Sequence, residues 1–277
     1  MKVHFWGVRG SIPVPGKKTV RYGGNTSCIS VVLDDKSTLV LDAGTGIRLL
    51  GSAADGGPHT YYILLTHPHW DHIQGLPFFN PKMNPDVKIR ILCEMQEDWG
   101  RQILRQLDGV CFPVKAEELT ADVRLCASSV NDVLTKYQVH ISWIRVNHPG
   151  ICFGYRLDSP DGSLVYMTDN ELVGSETTDS TRDALVSFSR QADVLIHDAQ
   201  YTREDMPEKR GWGHSCVEEA CDLASESGVR RLILFHHDPD RTDSQIDEIL
   251  ESARSYLAGK DPTIACDAAY EGMELDI

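Results

Sequence analysis

Eight short apolar segments, rich in Val, Ile, Leu and Tyr, recur along this chain of 277 residues. Turn-forming or charged residues flank each of them, and this pattern predicts buried or half-buried β-strands. The segments are residues 27–33, 37–44, 61–67, 87–93, 140–146, 163–169, 192–200 and 230–237. Helical patterns lie between some of them, at residues 183–192, 215–228 and 244–259, and the last two end in a glycine that can cap the helix. Strands that alternate with helices predict a layered α/β fold.

Five of these predicted strands end in His or Asp. The residues are Asp42, His67, Asp169, His197–Asp198 and His236–His237. In layered α/β folds, ligands bind beyond the carboxyl ends of the strands. We therefore expect these polar side chains to converge on one edge of the sheet.

The composition indicates an ordinary globular chain, with 41% hydrophobic and 25% charged residues. No apolar run approaches the ~20 residues that span a bilayer, and the first residues lack the apolar core of a signal peptide, so we expect a cytoplasmic protein with no membrane partner. The eight cysteines never form a CxxC pair and predict reduced, buried thiols.

The charge balance bears on the partners. Lys and Arg number 27 against 41 Asp and Glu, which gives a net charge of −14. Phosphate backbones are bound by clustered Lys and Arg, so no long nucleic acid is expected. The 11 His stand out against this acidic background.

We interpret residues 1–277 as a single domain. Residues 94–135 interrupt the alternation of strands and helices and predict an insertion or cap over the main sheet. The Gly- and Pro-containing stretches 10–24 and 149–162 predict loops within the domain.

The strongest chemical signal is THPHWDH at residues 66–72, directly after an apolar segment. His67 and His69 are two residues apart, so both imidazoles can reach one metal ion. Asp71 and His72 are adjacent and can serve a second ion. Imidazole and carboxylate ligands suit Zn²⁺, Mn²⁺ or Fe, and these residue types leave that choice open.

Further donors are needed to complete two sites, and later strand ends supply them. His148 and Asp169 follow two predicted strands, and His236 or His237 ends the last one. We favour His236, because it is the first polar residue after LILF. The Asp169 carboxylate can bridge two cations ~3.5–4 Å apart.

The HxHxDH motif and the downstream order His, Asp, His resemble the metallo-β-lactamase fold superfamily, in its hydrolase branch with two metals. The resemblance implies a four-layer αββα sandwich. It also implies that His67, His69 and His148 hold one ion, that Asp71, His72 and His236 hold the other, and that Asp169 bridges them.

Two further segments narrow the branch. ADVLIHDAQY at 192–201 and GHSCVEEACDLA at 213–224 are similar to motifs of tRNase Z and of the cyclic phosphodiesterases of phosphonate breakdown. The resemblance implies that His214 donates a proton to the leaving oxygen and that Asp198, where tRNase Z has Glu, orients it. It also implies that Asp71 is a catalytic residue as well as a metal ligand.

Supporting roles are expected for other residues. Asp42 would orient metal ligands through hydrogen bonds, and His197 would pack behind the site or support a ligand rather than bind metal. The loops at 5–28 could bind an anion. Their candidate groups are the backbone N–H groups of Gly23, Gly24, Asn25 and Ser27 and the side chains of Arg9 and Arg21.

These residues favour a dinuclear phosphodiesterase that acts on a small, possibly cyclic, phosphodiester or nucleotide. Two cations would generate hydroxide from water and His214 would act as the general acid. The alternatives are a thioesterase of the glyoxalase II type, a tRNA 3′-processing endonuclease and a non-enzymatic di-iron sensing domain. The basic Gly/Pro-rich arm of tRNase Z and the structural Cys cluster of some phosphonate-pathway enzymes have no evident counterpart here. The resemblance also implies a possible homodimer, because the superfamily often forms homodimers.

Overall fold

Two β-sheets form the centre of the computed structural model, which describes residues 1–92, 97–126, 129–173 and 179–277. The strands are β1 (Lys2–Gly7), β2 (Cys28–Asp34), β3 (Ser37–Leu41), β4 (His59–Leu64), β5 (Val87–Leu92), β6 (Asp122–Cys126), β7 (His140–Arg145), β8 (Phe153–Asp158), β9 (Ser163–Met167), β10 (Val194–Asp198), β11 (Arg231–Phe235), β12 (Ala265–Ala268) and β13 (Glu274–Asp276). The α-helices are α1 (Ile47–Ala53), α2 (Trp70–Ile73), α3 (Glu97–Arg105), α4 (Val130–Leu134), α5 (Arg182–Ser189), α6 (Met206–Lys209), α7 (Val217–Ser227) and α8 (Asp243–Ala258). Short 3₁₀ turns cover Leu76–Phe78, Asn80–Met83, Ala116–Glu118 and Thr135–Tyr137.

Both sheets are mixed. The first has the order β13-β1-β2-β3-β4-β5-β6, and the second has the order β12-β11-β10-β9-β8-β7. Strands β3 to β6 are parallel neighbours, as are β9 to β12, whereas the remaining pairs are antiparallel. The carboxyl ends of β9, β10 and β11 therefore lie side by side at one edge of the second sheet, and those of β3 and β4 do so in the first.

Burial on both faces explains the continuous apolar segments. In β10, Val194 and Ile196 belong to the core that both sheets share, whereas Leu195 packs in a second core with Leu185 of α5 and Leu223 of α7. Strands covered on both faces read as unbroken apolar runs. This packing confirms the predicted αββα sandwich.

The eight predicted strands are all present, and the three predicted helices are α5, α7 and α8. Gly228 ends α7 in the left-handed conformation (φ 63°), as expected of a capping glycine, whereas Gly259 after α8 is right-handed (φ −76°). The sequence analysis did not include β1, β6, β8, β12 or β13.

The prediction of a loop at 149–162 is wrong, because β8 lies inside it. Phe153, Tyr155 and Leu157 are buried, and the strand pairs with both β7 and β9. Tertiary pairing here outweighs the Gly and Pro residues that flank the strand. Within 94–135, β6 pairs with β5 and forms the edge of the first sheet. The prediction of an insertion or cap did not include this strand. Residues 93–96 and 127–128 lie outside the described part, and the insertion stays a prediction.

Seven of the eight cysteines fall in the described ranges, and all seven are free thiols, five of them buried. Cys93 lies outside those ranges. Within the same ranges, every helix is too short or too polar to span a bilayer.

Candidate metal centre

Two groups of ligand atoms meet around Asp169, which follows β9. Its Oδ2 lies 3.7 Å from His67 Nε2 and 3.8 Å from His148 Nε2. Its Oδ1 lies 3.2 Å from both His72 Nε2 and His236 Nε2. Within each group, the atoms that could hold an ion lie within 4.8 Å of one another; the groups are His67, His69 and His148, and Asp71, His72, Asp169 and His236. Each oxygen of Asp169 thus faces a different group.

Hydrogen bonds fix how the imidazole rings are turned. Three rings use Nδ1–H as a donor to a buried acceptor, so that Nε2 carries a lone pair. The pairs are His72 with Asp42 Oδ2 (2.9 Å), His148 with the Gly213 carbonyl (2.9 Å) and His236 with Gln200 Oε1 (2.8 Å). Of the ligand atoms, Nε2 of His67 and Nε2 of His72 are buried without a hydrogen-bond partner.

These donor atoms fit two divalent cations. Six of the seven donor residues are buried and His69 is exposed. Unpaired acceptors in the buried part cost free energy unless a cation or proton compensates them. Burial lowers the pKa of His148 to about 4 and that of His67 well below the ordinary value, which favours neutral rings at these two positions. Burial also opposes the charged form of His72, but the charges of Asp71, Asp169 and Asp42 outweigh it and raise the pKa of His72 well above the ordinary value. Burial opposes ionisation of Asp71 and Asp169, but the neighbouring imidazoles outweigh it and hold both pKa values well below the ordinary one. That these seven residues bind metal stays a prediction.

Three residues at this centre have left-handed backbones. They are Asp42 (φ 61°), Asp169 (φ 48°) and His236 (φ 59°), each within two residues of a strand end. This conformation is unfavourable for residues other than glycine, with Asp, Asn and His among the better tolerated. The turn out of each strand is what directs these three side chains into the centre.

His214 lies beside the centre, just before α7. Its Nδ1 lies 2.6 Å from Asp198 Oδ2, and its ring stacks on His236 with 5.1 Å between the ring centres. Burial lowers the pKa of His214, but the Asp198 charge and hydrogen bond more than offset this and raise it to about 9. In the metal-free chain the ring is therefore cationic near neutral pH, and Nε2 carries the proton that is not committed to Asp198.

The comparisons with known proteins agree with this geometry. Residues 37–237 match the family described as the beta-lactamase superfamily domain. The chain belongs to this superfamily. The match spans β3 to His237 and so includes every candidate metal ligand and His214. The chain is a metal-dependent hydrolase of this superfamily, as the sequence predicted.

The individual relatives of this chain are distant in sequence. Ribonuclease Z of Halobacterium salinarum is 24% identical over 279 residues, which cover 85% of this chain and 86% of that protein. The crystal structure of the short form of human tRNase Z has a TM-score of 0.65 and 19% identity, and covers 100% of this chain and 99% of that chain. A diphosphatase of the PhnP family has a TM-score of 0.68 and 17% identity, with coverages of 100% and 97%. The predicted resemblance to the superfamily and to its tRNase Z and phosphodiesterase branch is confirmed.

The structure brings His236, not His237, to the centre of this superfamily chain. His237 is buried elsewhere, and its Nε2 lies 2.9 Å from the Ala269 carbonyl oxygen. His197 packs behind the centre, with Nε2 3.1 Å from the Asn170 side chain. Both placements agree with the preferences drawn from the sequence.

Asp42 supports the centre from beneath. It is fully buried and accepts hydrogen bonds from the Thr66 N–H (2.8 Å) and hydroxyl, from the Tyr166 hydroxyl (2.9 Å) and from His72. Four donors on one carboxylate fix its position. His72 is thereby held with Nε2 towards Asp71 and Asp169.

We expect Asp42→Asn to weaken cation binding at the His72 group about 10–100-fold, the usual effect of removing a carboxylate that orients a metal-binding imidazole. An amide in its place has one acceptor oxygen instead of two. The dissociation constant is measured by competition with a chelator. Asp193→Asn is the control, because Asp193 binds Ser163 and Arg230 before β10 begins, at the strand end away from the centre. Equal affinities in Asp42→Asn and the control would contradict this role of Asp42.

Most of the anion-binding groups expected in the loops at 5–28 have other partners. The fully buried Arg9 donates to the carbonyl groups of Gly23, Asp238 and Arg241, and the Arg21 side chain pairs with Asp247. The Gly23 N–H donates to Thr19 and the Asn25 N–H to Glu271. These groups hold the loops in place.

The same stretch nevertheless reaches the centre. A Cβ at Gly10 would lie 2.5 Å from His236 Cε1, so a larger residue would displace the imidazole. The Ser11 N–H donates to Asp71 Oδ2 (2.7 Å).

Sequence reasoning missed Ser11, Tyr166, Gln200 and Glu171. Tyr166 and Gln200 bind the rear of the centre through long-range pairings with Asp42 and His236. Tyr166 lies in a strand with no local motif, so the pattern of residues carried no signal for it. Gln200 lies within ADVLIHDAQY, the segment already identified as a motif, which was the signal that could have found it. Thr66 had a weak signal, because it precedes His67 directly.

Proposed function

We propose that this chain is a dinuclear phosphodiesterase that acts on a small phosphodiester, cyclic or nucleotide in kind. The observation that carries the proposal is the pairing of His214 with Asp198 beside a carboxylate, Asp169, whose two oxygens face two sets of donors. Both parts promote the hydrolysis of a phosphodiester: a charged centre offsets the phosphate charge, and an acid gives a proton to a basic leaving oxygen. Zn²⁺ and Mn²⁺ suit the imidazole and carboxylate donors, and Fe is a further candidate.

When bound, two cations supply the activation of water and the neutralisation of phosphate charge. The residues of the chain do the rest. The carboxylates of Asp169 and Asp71 would supply negative charge to the cations. His72, His148 and His236 would direct fixed lone pairs towards them. His214 keeps a proton at Nε2, because Nδ1 is committed to Asp198, and can give that proton to the departing oxygen.

Charge and surface favour a small substrate over a long one. The net charge of −14 opposes a polyanion. Trp70 and Trp212 are exposed (69% and 55%) and lie in the chain one residue from His69 and two residues from His214. Exposed aromatic rings of this kind can stack on a planar base, and they add no charge-dependent affinity for a backbone.

A tRNA 3′-processing endonuclease is the second candidate. It is favoured by the ribonuclease Z relatives, of which one matches 85% of this chain. The net charge of −14 does not favour the binding of a tRNA, so this candidate ranks below a small substrate. A homodimer stays a prediction.

A panel of substrates tests the proposal. The purified protein, loaded with Zn²⁺ or Mn²⁺, is assayed on bis(p-nitrophenyl) phosphate, cyclic nucleotides, a precursor tRNA, a thioester and a β-lactam. We expect hydrolysis of the aryl phosphodiester and of at least one cyclic nucleotide, with kcat/KM at least about 100-fold above that for the thioester. Turnover of the thioester alone would contradict the phosphodiesterase proposal. Cleavage of the precursor tRNA, with the cyclic nucleotides left intact, would select the second candidate.

A further inference from the structure

Glu171 is a buried carboxylate outside the set of candidate ligands. Its residue is 1% exposed, and it lies two positions after Asp169 in the chain. Its side chain accepts hydrogen bonds from the backbone N–H of Gly211, at 2.9 and 3.0 Å to the two oxygens, and from the N–H of Gly213 at 3.0 Å. Hydrogen bonds to a charged acceptor are stronger than neutral ones, so this carboxylate fixes the backbone between the two glycines.

The segment that Glu171 holds leads directly to the centre. The Gly213 carbonyl accepts the Nδ1–H of His148 (2.9 Å), and the next residue is His214. Gly211 and Gly213 have φ values of +81° and +84°. A Cβ at Gly213 would lie 2.2 Å from His148 Nδ1, so the backbone runs against that ring.

Glu171 also binds the backbone of the residue before His148. Its backbone N–H donates to the carbonyl of Asn147 (2.8 Å), the residue that precedes His148. Arg210 lies 4.0 Å from the Glu171 carboxylate and 3.0 Å from Glu219. The residue thus contacts both chain segments that set the position of the His148 ring.

We propose that Glu171 is a positioning residue that sets His148 and His214 together, by fixing the Gly211–Gly213 backbone. The inference rests on the proposed function only in that His148 binds a cation and His214 acts as the acid. Without the carboxylate, the Gly213 carbonyl and the His214 backbone both gain freedom. One cation group and the proton donor are then disturbed at once.

The test compares Glu171→Gln with Glu219→Gln. Both replace a buried carboxylate near Arg210 by an amide of the same size. Glu219 instead accepts the N–H of Cys216 at the start of α7 and has no hydrogen bond to the 211–213 backbone. It is therefore matched in charge, in being buried and in lying near Arg210, but not in its backbone partners. Three quantities are measured: amide hydrogen exchange of residues 210–214 in the metal-free protein, Zn²⁺ affinity by competition with a chelator, and kcat and KM on bis(p-nitrophenyl) phosphate.

In Glu171→Gln we expect exchange of the 210–214 amides to quicken about 10-fold or more. We expect one of the two Zn²⁺ ions to bind about 10–100-fold more weakly, as is usual when a group that orients a ligand is lost. We expect kcat to fall by a similar factor while KM changes less than about 3-fold. In Glu219→Gln all three quantities should stay within about 2-fold of the parent protein.

Unchanged exchange and unchanged Zn²⁺ affinity in folded Glu171→Gln would overturn the inference. So would equal losses in both variants, because they would show a general effect of removing a charge near Arg210. If Glu171→Gln does not fold, Glu171→Asp is measured in the same way, and full parent-like behaviour there would also overturn it, since the shorter side chain cannot reach both glycines. Exchange and Zn²⁺ affinity need no substrate, so they remain decisive even if the parent protein hydrolyses no phosphodiester.

Discussion

Asp169→Asn is expected to weaken the binding of at least one cation about 100-fold or more and to lower kcat/KM by about 10³-fold. Asp169 is the carboxylate whose two oxygens face both groups of donors. An amide offers one oxygen and replaces the other by N–H donors, which repel a cation. A loss of several kcal/mol of charge stabilisation corresponds to this factor, at about 1.4 kcal/mol per tenfold in rate.

The variant is chosen so that the fold survives. Asn tolerates the left-handed backbone that Asp169 adopts at φ 48°, so the turn after β9 is kept. Metal content is measured by elemental analysis, and kcat/KM on bis(p-nitrophenyl) phosphate. Asp193→Asn, with its carboxylate at the other end of β10, is the control and should behave as the parent protein. Two tightly bound ions and parent-like turnover in Asp169→Asn would exclude a bridging role.

The second large effect is expected for His214→Ala. It should retain both cations but lose about 10²–10⁴-fold in kcat on phosphodiesters with strongly basic leaving groups, the usual contribution of a general acid. His214 lies against the two groups, and its Nδ1 is committed to Asp198 (2.6 Å). Loss of a metal ion in this variant would show that His214 is a ligand and not the acid.

Leaving groups of graded basicity sharpen this test. A series of aryl phosphodiesters, whose phenols span a range of pKa, is hydrolysed by the parent protein and by His214→Ala. A proton donor matters most when the departing oxygen is strongly basic, so the variant should lose little on p-nitrophenyl esters and far more on esters of basic phenols. Parallel slopes for the two proteins would contradict proton donation by His214.

The pH dependence of hydrolysis gives a further test of His214. The pKa of His214 is about 9 in the folded chain, against an ordinary value of 6.5. The stabilisation from its charged form is fully present below pH 6.5 and is lost as pH rises through about 9. Bound cations repel the imidazolium and move that limit lower. Activity that needs the proton should fall on the alkaline side, and Asp198→Asn should move this fall to lower pH. An unmoved alkaline limb would argue against the pairing of Asp198 with the acid.

Much of this centre can be predicted from the sequence, because its candidate ligands lie at strand ends and within one short motif. His67, His69, Asp71 and His72 span six residues, and His148, Asp169 and His236 each follow an apolar segment. A buried parallel sheet needs such segments, and its carboxyl ends must meet. Those two physical facts let a linear pattern predict a cluster in space.

The supporting groups follow a different rule. Asp42 accepts a hydrogen bond from Tyr166 of the other sheet. The Glu171 side chain accepts hydrogen bonds from Gly211 and Gly213, which lie 40 and 42 residues further along the chain. Such pairings depend on how the two sheets face each other, which local propensity does not encode. The same reason explains Arg9 and Arg21. Their charge suggested phosphate, whereas the fold commits one to backbone carbonyl groups and the other to Asp247.

The left-handed turns at Asp42, Asp169 and His236 link the chemistry of this chain to its thermal behaviour. Each costs the folded state on the order of 1–3 kcal/mol relative to a relaxed backbone. A ligand that binds the folded chain and not the unfolded one returns free energy to the folded state in proportion to the logarithm of its concentration. The concentration of metal ions therefore affects the free energy of unfolding as well as the turnover of the protein. Chelation should lower the melting temperature of this hydrolase as it removes its activity.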